Sequence, residues 1–383
     1  MTVYRRFAIS FAAACALVFW LDSPAGLARA PQAGVHLTPS GYLVPVYGMS
    51  RVKAADGTLS NECVRLNDPQ IESLRFGRSV SRNVARWSPQ ATAQATVQAG
   101  DPAKATFRLI YTDAAGEGFN DARDGAARKR ALEASVAAWS KVLQGTVEIV
   151  IQARMEAPED GESQLLASAG PVDLVGLDRV AVTTALASQM LNRNVRRELG
   201  NEADIEIVFS PDVNWDYSVS GAAPRDKVSF VYVTIHEIAH GLGFIDSYVS
   251  ETGELLNPIP FSYDVFLNRG SGRTDLLTDH AAAERTRDLT SRDLFFSGPH
   301  AIEASKKSIR PLPMVKLFAP DPYEPGSSIA HVDQDTYADF KTGLMTPRDF
   351  GSGTDKIDTL TLGIMQDMGY KLVPAAVTAR VKQ

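Results

Sequence analysis

The chain has 383 residues, of which 44% are hydrophobic and 22% are charged, and its formal net charge is −6. This composition is typical of a folded globular protein with enough chain to bury a large core. The acidic balance excludes nucleic acid as a default partner, because there is no basic excess to neutralise phosphates.

The only long apolar run lies at the N-terminus. Arg5 and Arg6 precede the apolar residues 7–21, and this run is shorter than the roughly 20 residues that span a bilayer. Small residues follow, up to Ala28. This pattern predicts a secretory signal peptide over residues 1–28. We therefore expect an exported protein, secreted or periplasmic, with no stable membrane insertion once the signal is removed.

Residues 29–100 form an N-terminal segment, which could be a pro-region, and the linker that follows it. Residues 87–104 are rich in Ala, Gln, Thr and Pro, which predicts a linker. Without the signal peptide the only cysteine is Cys63, so the exported chain has no internal disulfide. We interpret Cys63 as a partly buried structural cysteine; the alternative is a thiolate that occupies a metal site until a pro-segment is removed.

The organised part of the chain follows this linker. Alternating apolar residues predict strands at residues 107–111, 147–151 and 205–209. Apolar residues at helical spacing predict helices over 126–143 and 183–199, each followed by a glycine. Strands interspersed with helices of this length favour an α+β or α/β layered domain. We place that domain at residues 101–375, followed by a short tail over residues 376–383.

A histidine pair carries the chemistry of the segment VYVTIHEIAHGLGFI. On a helix, His236 and His240 lie on one face, one turn apart, so both imidazoles can reach one tetrahedral zinc ion. Glu237 lies beside such a metal, where it can take a proton from a metal-activated water and pass it to a leaving amine. Gly243 ends the helix early, which argues against an arrangement in which a longer helix is followed by a glutamate ligand.

The sequence HEIAHGLGF resembles the active-site helix of the metzincin zinc metallopeptidases, whose motif is H-E-x-x-H-x-x-G. Most metzincins have a third histidine three residues beyond the glycine, where this chain has Asp246. Either Asp246 is the third ligand, or that ligand comes from far downstream, as in leishmanolysin-like enzymes. The segment GSSIAHVDQDTYADFKTGLMTP resembles the leishmanolysin-type stretch, in which a histidine, here His331, precedes a Met-turn, here at Met345. On this resemblance we favour His331 over Asp246.

The resemblance covers about residues 107–370 and extends to exported bacterial proteins of this general type. It implies an α+β, metzincin-like catalytic domain. The mixed twisted sheet and the active-site helix would form an upper subdomain, and an irregular lower subdomain would end in a helix at residues 358–368. We expect the strand at residues 204–209 to be the upper rim, able to pair with an extended peptide. We also expect Tyr263 and Asp264 to support the loop beneath the site.

Together these features predict an exported zinc-dependent endopeptidase that acts on protein or peptide substrates. His236, His240 and His331 would hold one catalytic Zn²⁺, with Glu237 as the general base. Two alternatives remain: a non-catalytic binding or adhesion protein stabilised by zinc, and a metal-dependent amidase. The intact Glu237 weighs against the first, since a purely structural site has no use for that carboxylate.

Overall fold

The structure is a computed structural model. It describes residues 35–53, 59–65, 104–157, 165–219, 222–271, 275–308, 311–337, 343–349 and 356–374. The predicted signal peptide, nearly all of the predicted linker and the predicted tail lie outside these residues. Within the described ranges, no helix is both long enough and apolar enough to cross a membrane.

The described residues form eight α-helices. They are α1 (Gly125–Val142), α2 (Thr184–Leu191), α3 (Val195–Glu198), α4 (Phe230–Gly241), α5 (Ala282–Asp288), α6 (Pro299–Lys306), α7 (Gln334–Tyr337) and α8 (Thr359–Met368). Short 3-10 helices occur at Gly118–Asn120, Asp264–Phe266 and Leu277–Asp279.

The strands fall into one large mixed sheet and several small ones. They are β1 (Val35–Leu37), β2 (Leu43–Pro45), β3 (Tyr47–Lys53), β4 (Leu59–Arg65), β5 (Phe107–Tyr111), β6 (Leu143–Gln144), β7 (Ile149–Met155), β8 (Leu165–Pro171), β9 (Leu174–Leu177), β10 (Val180–Thr183), β11 (Ile205–Phe209), β12 (Trp215–Asp216), β13 (Val228–Ser229), β14 (Leu267–Arg269), β15 (Leu294–Phe296), β16 (Val315–Lys316), β17 (Arg348–Asp349) and β18 (Lys371–Leu372). The large sheet has the order β17-β4-β3-β8-β11-β7-β5. Within this sheet the β5–β7 and β7–β11 pairs are parallel and the other described pairs are antiparallel. The chain therefore has a mixed α+β fold, as the sequence predicts.

The elements with strong periodicity form close to where the sequence places them. The predicted strands at residues 107–111 and 205–209 are β5 and β11, and the third is β7, displaced by two residues at its start. The predicted helix over residues 183–199 is two helices, because Asn192 adopts a left-handed conformation (φ 52°) that ends α2.

The strand predicted as the upper rim is not at an edge, and that prediction is wrong. Strand β11 pairs with β7 on one side and with β8 on the other, so its backbone groups are already used within the sheet. An extended peptide can pair only with an unpaired strand edge. In the order of the large sheet, the strand that lies between β11 and the N-terminal strands is β8.

The described part of the N-terminal segment is built into this sheet. Strands β3 and β4 form an antiparallel pair, which we call the N-terminal hairpin. Its β3 strand pairs with β8, and its β4 strand pairs with β17, which lies near the other end of the chain. The N-terminal hairpin therefore joins two parts of the predicted catalytic domain. The separability of residues 29–100 as a segment remains a prediction.

Helix α4 is buried on all sides beneath the large sheet. Every one of its residues is buried, and its hydrophobic neighbours include β11, α1 and β8. Gly241 allows the close approach of the helix to β11, because a Cβ there would lie 2.4 Å from Ile205 Cγ2. Trp139 of α1 donates an indole hydrogen bond to the Ile235 carbonyl at 3.1 Å. These contacts fix the helix that carries the histidine pair.

Candidate metal centre

Three imidazoles from two distant parts of the chain meet in the buried interior. His236 and His240 lie on α4, and His331 lies in the loop before α7. All three have no exposed surface. The Nε2 atom of His236 lies 3.2 Å from that of His240 and 3.3 Å from that of His331. The structure thus brings together the three histidines that the sequence proposes as ligands.

Each of these rings is oriented by a main-chain carbonyl at its other nitrogen. The Nδ1 atom of His236 lies 2.8 Å from Leu344 O, and that of His240 lies 2.7 Å from Phe244 O. The Nδ1 atom of His331 lies 3.0 Å from Ser327 O. A carbonyl oxygen can only accept a hydrogen bond, so each Nδ1 carries the proton and donates it.

The three Nε2 atoms therefore point lone pairs at one another. Burial lowers the pKa of His236 to about 4, and it lowers the pKa of His240 and His331 well below the usual value. Neutral rings with the proton on Nδ1 have only an acceptor at Nε2. Three buried acceptors within hydrogen-bond distance repel each other unless they share a cation, and neutral imidazole nitrogen is a common metal ligand.

Cys63 supplies a fourth donor atom from the N-terminal hairpin. Its Sγ atom lies 3.6 Å from His240 Nε2, and the ligand atoms of the four residues all lie within 4.8 Å of one another. The Cys63 amide donates to Pro347 O at 2.8 Å, and Ser327 Oγ donates to the Cys63 carbonyl. The main chain of β4 thus holds the thiol at the histidine cluster. Cys63 is fully buried and belongs to this cluster, in contrast to our first interpretation of a partly buried structural cysteine.

Three of the separations among these four atoms match those of ligands on one small tetrahedral ion, and all four atoms lie within 4.8 Å of one another. Two nitrogens at ~2.0–2.1 Å from a tetrahedral zinc are about 3.3–3.4 Å apart, and a nitrogen and a thiolate at ~2.3 Å are about 3.6 Å apart. The observed separations of 3.2, 3.3 and 3.6 Å agree with these values. Burial and the nearby Glu237 raise the pKa of the Cys63 thiol; a coordinated cation has the opposite effect, since it deprotonates the thiol. The cluster can therefore hold a metal.

Glu237 lies beside the cluster with one oxygen unused. Its Oε1 atom accepts the Met49 amide of β3 at 3.1 Å, whereas Oε2 has no hydrogen-bond partner and no exposed surface. Burial raises the pKa of this carboxyl well above its usual range, and the amides of Met49 and Ala169 oppose that increase. A buried polar atom without a partner is costly, so Oε2 marks a position where a ligand or water belongs.

Asp246, the competing candidate for the third ligand, is placed differently. It is fully buried, and its Oδ1 accepts the Tyr248 amide at 3.0 Å. Its Oδ2 accepts the Tyr47 hydroxyl at 2.7 Å. The group of donor atoms that could hold an ion contains His331 and not Asp246. The turn that leads to Asp246 is made by Gly243 (φ 113°), and it presents the Phe244 carbonyl to His240.

The segment around Met345 contacts the histidine cluster through its main chain. Met345 is fully buried, and its carbonyl accepts the Val332 amide at 2.8 Å, next to His331. The preceding residue, Leu344, supplies the carbonyl for His236 and donates its own amide to Asp358 Oδ2 at 3.1 Å. Asp358 also caps α8 by accepting the Thr361 amide. The cap of α8 thus fixes the loop that orients His236.

The predicted support beneath the site is also present. Asp264 accepts the amides of Ser247 and Phe261 at 3.2 and 2.7 Å. Tyr263 donates its hydroxyl to Ile329 O at 2.9 Å, two residues before His331. These bonds tie the loop after α4 to the loop that carries His331.

Sequence reasoning missed the contribution of β3. Tyr47 is buried, and its ring stacks on His240 with centroids 4.7 Å apart and an angle of 14° between planes. Met49 reaches Glu237 through its amide. Neither contact can be recognised in the sequence. Tyr47 acts through the stacking of its ring, which follows no sequence motif, and Met49 acts through its main-chain amide, which every residue except proline has.

Comparisons with known proteins add little to this geometry. A family model described as SPBPB7E8-like matches residues 182–268. That range includes α4 and Asp246 but neither Cys63 nor His331, and it is less than a quarter of the chain. No curated protein matches the chain, and no solved structure does.

Proposed function

We propose that the protein is an exported zinc-dependent endopeptidase of metzincin type. The observation that carries the proposal is the convergence of three Nε2 lone pairs next to a buried glutamate with an unpartnered oxygen. A structural zinc site needs four ligands and has no use for an additional carboxylate, whereas a hydrolytic site needs a proton acceptor beside the metal.

Each residue has a separate task in this proposal. His236, His240 and His331 hold the ion, and their carbonyl partners keep the rings in the tautomer that binds metal. The bound ion supplies Lewis-acid polarisation of a scissile carbonyl and lowers the pKa of water. Glu237 accepts the proton of the attacking water at its unpartnered oxygen and delivers it to the leaving amine. Burial raises the pKa of Glu237, which makes the carboxylate a stronger proton acceptor than an exposed glutamate.

The described conformation corresponds to a resting form of such an enzyme. Cys63 Sγ lies 3.6 Å from His240 Nε2, where it would be a fourth ligand of a bound ion, and the Met49 amide occupies one oxygen of Glu237. Both contacts come from the N-terminal hairpin. A site with four protein ligands lacks the open position that catalysis requires, so the hairpin must leave before a substrate can bind.

The strand that lies at the site, β3, favours a peptide substrate over a small amide. Strand β3 is an extended chain that pairs with β8 directly above Glu237. A strand that receives an extended segment of its own chain can receive an extended peptide in the same way. A metal-dependent amidase for small substrates would have no use for that paired edge.

Metal analysis and protein cleavage test the proposal on the exported chain. We expect about one zinc per chain, and cleavage of an unfolded protein that a chelator abolishes. Glu237→Gln keeps the Oε1 acceptor for the Met49 amide and removes a buried charge. It should retain the zinc and the fold while cleavage falls by at least ~100-fold, as for loss of a general base. Cleavage within tenfold of wild type would refute the role of Glu237; cleavage that resists metal removal would refute the proposed function.

A further inference from the structure

Tyr47 of the N-terminal hairpin fills a closed pocket beside the metal cluster. Its side chain is almost completely buried, its ring lies flat on the His240 imidazole, and its hydroxyl donates to Asp246 Oδ2 at 2.7 Å. The pocket is therefore defined by an aromatic wall at its side and a carboxylate at its base.

Tyr47 belongs to a hydrophobic cluster in which only Tyr42, Val44 and Cys63 are also N-terminal, and the other members come from the predicted catalytic domain. These other members include Leu174, Ala181, Ile245, Phe261 and Ala330. Asp246 follows Ile245 in the chain and, like it, is buried. The pocket thus has apolar walls and a buried carboxylate, Asp246, that binds the hydroxyl of its occupant. Asp246 is not among the donor atoms that could hold an ion, so its burial needs another explanation.

The occupant of the pocket is presented by an extended strand. Tyr47 lies opposite Ala169 of β8 in an antiparallel register, and Met49 lies opposite Ala167. In an extended chain, alternate residues face the same side, so Tyr47 and Met49 both face α4. A peptide that replaced β3 on β8 would direct one side chain to the position that Tyr47 holds.

We propose that the Tyr47 pocket is the specificity pocket of the peptidase and that it selects a tyrosine side chain in the substrate. This inference rests on the proposed function and adds the substrate class. The N-terminal hairpin then occupies the groove as a substrate does, with its own tyrosine in the pocket. A flat ring stacks on His240, and a phenolic hydroxyl reaches Asp246.

The buried carboxylate makes the selection strong. A phenylalanine in the pocket would stack equally well but would leave Asp246 Oδ2 without the hydroxyl that it binds here. Sites built to hydrogen-bond a substrate hydroxyl reject the analogue that lacks it much more strongly than apolar pockets reject a missing methylene. A hydrogen bond to a charged group corresponds to about 10–150-fold in binding or rate. We expect at least a ~10-fold preference for tyrosine over phenylalanine.

Small-molecule binding tests the pocket without any catalysis. Tyr47→Ala in the full chain removes the side chain, and p-cresol and toluene serve as the matched probes with and without the hydroxyl. We expect p-cresol to raise the unfolding temperature of Tyr47→Ala and to bind at least ~10-fold more tightly than toluene. The Tyr47→Ala/Asp246→Asn double variant should bind the two probes with more equal affinity. Equal binding of both probes to Tyr47→Ala would overturn the assignment of Asp246 as the selecting group.

Peptide cleavage tests the substrate class, and it requires the N-terminal hairpin to be released. Gly48 offers a way to do so, since a Cβ there would lie 2.8 Å from the Ala167 carbonyl oxygen of β8. Gly48→Val should therefore push β3 off β8. Combined with Cys63→Ala, it gives a release variant of the full chain in which Tyr47 is unchanged, so this test does not depend on the folding of Tyr47→Ala. Cys63→Ala alone is the matched control.

The cleavage rates of the release variant are measured on a series of peptides that differ only at one position. That position is tyrosine, phenylalanine, leucine or lysine. We expect cleavage next to tyrosine at least ~10-fold faster than next to phenylalanine, and Asp246→Asn in the release variant should reduce that ratio towards one. Cleavage without a tyrosine preference, or with a preference unchanged by Asp246→Asn, would overturn the inference and leave the proposed function standing. No cleavage of any peptide or of an unfolded protein, with zinc bound, would contradict the proposed function and the inference with it.

Discussion

If the proposed function is right, removal of a single oxygen atom from Tyr47 should raise peptidase activity. The Tyr47 hydroxyl is the side-chain link between the N-terminal hairpin and Asp246. Tyr47→Phe keeps the ring, its stacking on His240 and the main-chain pairing of β3, and it removes the hydroxyl that binds Asp246. If the hairpin must leave before a substrate binds, weaker anchoring raises the fraction of open molecules.

The size of the effect follows from the chemistry of the bond. Hydrogen bonds to charged groups contribute about 1.5–3 kcal/mol, and each 1.4 kcal/mol is a factor of about ten in an equilibrium. Tyr47→Phe should therefore reduce the free energy that favours the closed form over the open form by about 1.5–3 kcal/mol. As long as the closed form still dominates, peptidase activity should rise by about 10–150-fold. The free energy of unfolding of the resting form should fall by a similar amount.

Two measurements on the same samples check this expectation: denaturant unfolding, and initial rates of protein cleavage. Tyr370→Phe is the matched control, because its hydroxyl is also buried and donates to the Leu242 carbonyl at 2.8 Å, away from the N-terminal hairpin. It should lower the free energy of unfolding by about 1 kcal/mol and leave the activity of the resting form unchanged. Destabilisation by Tyr47→Phe without a gain in activity would show that the hairpin does not control access.

Three further predictions concern the metal, the linker and the buried acids. His331→Ala should lose zinc and activity together while Asp246→Asn keeps zinc, as measured by metal analysis; zinc retained in the first variant and lost in the second would exchange their roles. A protease cut in the predicted linker, residues 87–104, should leave the N-terminal hairpin bound in gel filtration, with activity at the low level of the uncut chain until Cys63→Ala is added; release by the cut alone would show weak anchoring. Burial, and next the charge of Asp246, raise the pKa of Asp264 from 3.8 to about 7. The unfolded chain therefore loses this proton at lower pH than the folded one, and the stability that this group contributes falls as pH rises from about 4 to about 7. Asp246→Asn should lower the pKa of Asp264 and reduce that slope in denaturant unfolding; an unchanged slope would exclude coupling of the two acids.

The spacing of residues along the sequence predicts helix α4, which carries His236 and His240, and the helix boundaries near the site. The H-E-x-x-H spacing places two imidazoles on one face because the helix has 3.6 residues per turn, and α4 forms at that place. Asp358 and Gly369 bound α8 as capping chemistry predicts. These are short-range effects, in which neighbouring residues determine the backbone.

Long-range pairing accounts for what the sequence did not predict. Alternation indicates that β11 is a strand, but it does not reveal its neighbours, and the interior position of β11 comes from pairing with both β7 and β8. The place of Cys63 depends on contacts of β4 with residues more than 250 positions away, such as Ser327. The motif of α4 therefore points to the histidine cluster that could hold a metal, whereas the contact of the N-terminal hairpin with that cluster becomes visible only in the fold.

The closed site and the unused carboxylate oxygen together argue for a latent enzyme rather than a zinc-stabilised binding protein. If Cys63 were simply the fourth ligand of a structural site, Glu237 could be any apolar residue, and a buried acid with one unpartnered oxygen would be a pure loss of stability. The cost is understandable if the oxygen is needed in another conformation. The contacts of the N-terminal hairpin match that view, since Cys63 lies against the histidine cluster, the Met49 amide binds one oxygen of Glu237, and Tyr47 binds Asp246. Three groups useful for peptide hydrolysis are thus covered by one displaceable segment, which is the arrangement expected when that segment stands where a substrate binds.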